Sequence, residues 1–98
     1  MENQSPQPKP KNPVRDAILQ LVHERGVGKT ICPSEAAKSV SDLKWRSVLK
    51  DVRAEAVRLM KSGEISIYRK GRPVEDPDNF KGVYRLGLPG KIVRSDYD

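Results

Sequence analysis

Residues 43 to 69 read LKWRSVLKDVRAEAVRLMKSGEISIYR, and the spacing of the apolar side chains changes once inside them. Trp45, Val48, Leu49, Val52, Ala56, Leu59 and Met60 recur mostly three and four residues apart, which lays them along one stripe of a helix. Gly63 is placed to stop that helix, because glycine takes the left-handed conformation of a C-terminal cap without a Cβ clash. Beyond it Ile65 and Ile67 alternate with Glu64, Ser66 and Tyr68, the period of a strand with one buried face. The stretch predicts a long helix that feeds a strand, with Ile65 and Ile67 inward. Tyr68 falls on the other face, open to a partner or to the loop that follows. Ser41 and Asp42 supply the cap before the helix.

Toward the C-terminus, VYRLGL at 83–88 alternates Tyr84, Leu86 and Leu88 and predicts a second strand. Between the strands, GRPVEDPDNFKG at 71–82 is too long and too rich in Gly, Pro and Asp for a tight hairpin turn. Toward the N-terminus, CPSE at 32–35 spells a helix start, with Cys32 at the cap, Pro33 at the first helical position and Glu35 in the first turn. That helix, through Ala36, Ala37 and Val40, is short. Thr30 and Ile31 are β-branched and predict a very short strand. Before them Val14, Ala17, Ile18, Leu21 and Val22 give a first helix from Pro13 or Val14, stopped at Gly26. The expected fold is α+β, mainly α: a winged helix of three helices, with a helix-turn-helix and a small two- to three-stranded antiparallel sheet.

The segments GKTICPSEAA, WRSVLKDVR, SGEISIYRKGRPV and FKGVYRL, in this order, resemble a bacterial family of short winged-helix-like proteins classed as a domain of unknown function. The resemblance covers almost the whole expected domain. It implies the fold and implies no reaction, ligand or partner.

GVGKT at 26–30 resembles the end of a phosphate-binding loop, G-x-x-x-x-G-K-[ST]. Counting back from Gly28, the first glycine of that pattern falls on His23. A helix precedes the stretch where a strand is required, and Pro33 blocks a helix that would continue out of it. No bound nucleotide is expected; the stretch is a turn between the first helix and the small strand.

The chain has 98 residues, enough for one domain at 13–88, flanked by a disordered Pro-rich basic tail at 1–12 and a disordered tail at 89–98. Nineteen Lys and Arg against 13 Asp and Glu leave a formal charge of +6, which favours an acidic partner. One cysteine excludes an intrachain disulfide and a multi-cysteine zinc site. No apolar run suits a signal peptide or a membrane span, so a cytoplasmic location and no membrane partner are expected. No acid–base pair, triad or metal constellation is present, and neither an enzyme nor a cofactor is expected.

In a helix-turn-helix the third helix enters the major groove. Arg46, Lys50, Arg53 and Lys61 fall near its exposed edge with Val57 and Arg58, interrupted by Asp51 and Glu55. On the wing, RKGRPV at 69–74 offers Lys70 and Arg72. Its GRP resembles the core of an AT-hook, a minor-groove peptide, although Lys70 stands where the full hook has arginine and a plain turn accounts for the stretch equally well. Arg46, Lys50, Arg53, Lys70 and Arg72 are thus the expected contacts to duplex DNA, with Arg53 dispensable for folding. The same fold docks proteins, and a protein partner is the alternative. A third reading makes Cys32, near Lys29 at a helix start, a thiol sensor. Trp45 is expected as a core anchor, and His23 as a surface residue.

Overall fold

The computed structural model describes residues 12–90; the two expected tails lie almost wholly outside that span. Helix α1 (Pro13–Arg25) leads to strand β1 (Thr30–Ile31), α2 (Pro33–Val40), α3 (Trp45–Lys61), β2 (Ser66–Arg69), β3 (Arg72–Pro73) and β4 (Arg85–Gly87). The three helices and the small antiparallel sheet come in the expected order and make the α+β, mainly α, fold, with four strands where two or three were expected. They form one antiparallel sheet in the order β1-β4-β2-β3. No helix among the described residues is long and apolar enough to cross a membrane.

The helix ends follow local chemistry. Asn12 caps α1, its Oδ1 accepting from the Arg15 N–H at 3.1 Å. At the end of α3, Gly63 at φ 84° lets its N–H reach the Met60 carbonyl and the Glu64 N–H reach that of Leu59, the paired bonds of a Schellman motif. Helix α3 begins at Trp45, two residues later than the apolar run suggests. The Ser41 hydroxyl instead accepts from the Lys44 N–H at 3.0 Å and holds a turn that leaves Leu43 93% exposed.

Ile18 and Val22 of α1, Ala36 and Ala37 of α2, and Val52, Ala56 and Leu59 of α3 enclose the core with Ile31, Ile65, Ile67, Phe80 and Leu86. Trp45, Val48, Leu49 and Met60 line its margin and are half-buried.

Two strand expectations are corrected. Strand β2 is buried on both faces: Ser66 and Tyr68 are as enclosed as Ile65 and Ile67. The Tyr68 ring lies against Gly87, where an added Cβ would come within 3.2 Å of it and 2.9 Å of the Lys29 carbonyl, and its hydroxyl donates to the Leu88 carbonyl at 2.6 Å. A glycine on the neighbouring strand makes the bed for this ring, a pairing that period-two reading cannot see. The connection after β2 also begins with a tight turn. Lys70 at φ 53° and Gly71 at φ 82° join Arg69 to its partner Arg72, the positive-φ pair of a two-residue hairpin. RKGRPV therefore carries a hairpin turn at Lys70 and Gly71.

Candidate nucleic-acid interface

The basic side chains divide by what touches them. Arg15 pairs with Glu64 at 3.0 Å, Arg25 with Glu35 at 2.6 Å, Arg58 with Glu55, and Lys61 with Asp78 at 2.6 Å. Arg53 belongs with these. Its Nη2 donates to the Phe80 carbonyl at 2.6 Å, and its guanidinium lies over the Phe80 ring, 3.8 Å from the centroid. Phe80 in turn meets Tyr84 edge-on at 5.3 Å, so Arg53 fastens the loop before β4 to α3. It is half-buried rather than presented on an open edge.

Among the described residues, Lys38, Lys44, Arg46 and Lys50 have no acidic partner within ion-pair distance, and Lys44, Arg46 and Lys50 share the N-terminal half of α3 and the turn before it. Lys38 comes from α2, and the ring of Trp45 ties it to them: its Nζ lies 4.6 Å from the indole centroid, and the Arg46 guanidinium 4.5 Å. Each of the two cations is favoured there by the ring's π electrons. Trp45 is half core anchor, as expected, and half platform.

On the wing, Lys70 and Arg72 are exposed at the hairpin and likewise unpaired among the described residues. They do not continue the α3 cations as one surface. The segment from Glu75 to Phe80 lies between: on one side Pro77 and Asp78 close a groove of about 420 Å³ with Lys50, Arg53, Val57 and Lys61. On the other side Glu75 and Asp76 line a second groove with Arg69, Arg72 and Lys81. The sequence shows these acids near the wing cations but not that they fold back onto α3.

Lys38 and Lys44 escape a reading along the chain, since only packing of α2 against α3 brings Lys38 to Trp45. GVGKT runs from a helix into a strand, the reverse of a phosphate loop. Cys32 is half-buried at the start of α2, its Sγ accepting from the Ser34 hydroxyl at 3.1 Å. His23 is exposed. Glu35, in the first turn of α2, has its carboxyl pKa lowered: burial pushes it up, but the Cys32 N–H at 2.9 Å and the Arg25 guanidinium, with help from Arg85, outweigh that.

Residues 11–89 match the model of a family described as protein of unknown function, DUF3253. No curated protein matches the chain.

Proposed function

The chain belongs to the DUF3253 family, and from the placement of its unpaired cations we propose that it is a cytoplasmic winged-helix protein that binds duplex DNA and catalyses no reaction. The carrying observation is the cluster Lys38, Lys44, Arg46 and Lys50, unpaired among the described residues, around the start of the third helix. In helix-turn-helix proteins the N-terminal residues of that helix meet the major groove while neighbouring cations meet phosphates. Lys70 and Arg72, on the far side of the acidic segment, serve as a secondary wing contact.

About four phosphate contacts give a slope of log affinity against log salt of roughly −3 to −4, with nonspecific dissociation constants on the order of 10 to 100 μM near physiological salt. A mobility-shift titration of random duplex at several salt concentrations measures both. Lys38→Glu with Lys50→Glu is expected to abolish binding and leave the melting temperature nearly unchanged. If wild-type protein shows no salt-sensitive binding to any duplex at hundreds of micromolar, the reading fails. The exposed Leu43, at the same turn, and Val83, on the wing, then favour a protein partner.

A further inference from the structure

Resting on that duplex reading, we propose that Arg46 is the residue that reads base sequence, by a forked contact to O6 and N7 of a guanine in the major groove. Trp45 is the plate that holds its guanidinium, and Lys38, Lys44 and Lys50 are sequence-blind phosphate contacts.

The three arginines of α3 are not equivalent. Arg53 is bound to the Phe80 carbonyl and Arg58 to Glu55. Among the described residues, Arg46 alone of the three meets no acceptor of its own chain and touches only a ring. Its five N–H donors therefore remain for a ligand. It is also the second residue of α3, in the turn that a recognition helix presents to base edges.

A free arginine loses much rotamer freedom on binding, which weakens any contact it makes. Here the guanidinium already rests 4.5 Å from the centroid of an indole that is itself packed against the core, so part of that loss is met on folding. A guanidinium held this way keeps its planar fork, and among base edges in the major groove the fork matches the paired acceptors of guanine. Lys38, on the same ring but from α2, presents a point charge without a fork, suited to a phosphate beside the base being read.

The test is selection of bound sequences from a randomised duplex pool with the full chain, followed by 7-deazaguanine at the enriched position, which removes N7 alone. We expect one guanine position to be enriched and its 7-deaza form to bind on the order of tenfold more weakly. Arg46→Lys is expected to lose the preference while random-duplex affinity stays within about threefold and the salt slope is kept, because charge survives and the fork does not. Trp45→Leu, once shown to be folded by its melting curve, is expected to weaken the preference; if it unfolds, Arg46→Lys and the modified base carry the test. Salt-sensitive binding with no guanine enriched, or with the preference intact in Arg46→Lys, overturns the role of Arg46 and leaves duplex binding standing. No salt-sensitive binding by the wild-type chain overturns both.

Discussion

Lys50 and Arg53 stand three residues apart on α3 and look alike in sequence, yet their surroundings assign them opposite roles. Lys50 is exposed and, among the described residues, without an acidic partner, whereas Arg53 holds the Phe80 carbonyl and covers the Phe80 ring. A hydrogen bond from a charged donor contributes about 1.5 to 3 kcal/mol, and a cation–π contact adds roughly 0.5 to 2. Allowing for partial exposure, Arg53→Ala is expected to cost on the order of 1 to 3 kcal/mol in urea unfolding, against about 0.5 or less for Lys50→Ala. Equal costs would show that the clasp on Phe80 does not hold in solution. The expectation that Arg53 is dispensable for folding came from helical position alone, and position does not reveal that a loop 27 residues away returns to it.

At the scale of elements, the proposed duplex binding makes the segment after β3 a limit on how much of α3 DNA would reach. Asp76 organises it, its Oδ1 accepting from the Asp78 N–H at 3.0 Å, while the Asp78 side chain reaches out to Lys61. Both partners of that ion pair are more than half exposed, so it contributes little to stability. Its effect on an incoming phosphate is larger, since Asp78 both occupies Lys61 and repels the backbone. Asp78→Asn is expected to raise duplex affinity several-fold and to steepen the salt slope by about one, with the melting temperature almost unchanged. A slope that stays the same would mean that the C-terminal half of α3 never approaches DNA.

The start of α2 makes a different prediction. Because the folded state lowers the Glu35 pKa below its unfolded value, the stability that this carboxylate contributes is complete above the unfolded pKa. It is lost as pH falls through the folded one. Glu35→Gln is expected to reduce stability near neutrality and to flatten its decline as pH falls below the ordinary carboxylate range, as read from urea midpoints at a series of acidic pH values. A decline as steep as that of the wild type would place the acid sensitivity elsewhere.

At the scale of the whole fold, the three helices and four-stranded sheet of the described residues share one core, and the cations outside it divide into those tied down by the chain and those without an acidic partner among the described residues. The helices, the inward face of β2 and the turn at GVGKT were legible along the chain because each rests on interactions over a few residues: apolar periodicity, proline at a first helical position, glycine at a positive φ. What depends on residues distant in sequence was not legible. Tyr68 is buried because Gly87 lies on the adjacent strand, Lys38 meets Trp45 because α2 packs on α3, and Arg53 is engaged because the Phe80 loop folds back. Periodicity tells which side of an element is apolar, but it carries no record of which charge will find an acceptor across the fold. That pairing is decided by packing, since a guanidinium is claimed by whichever carbonyl, carboxylate or ring the folded chain brings within reach.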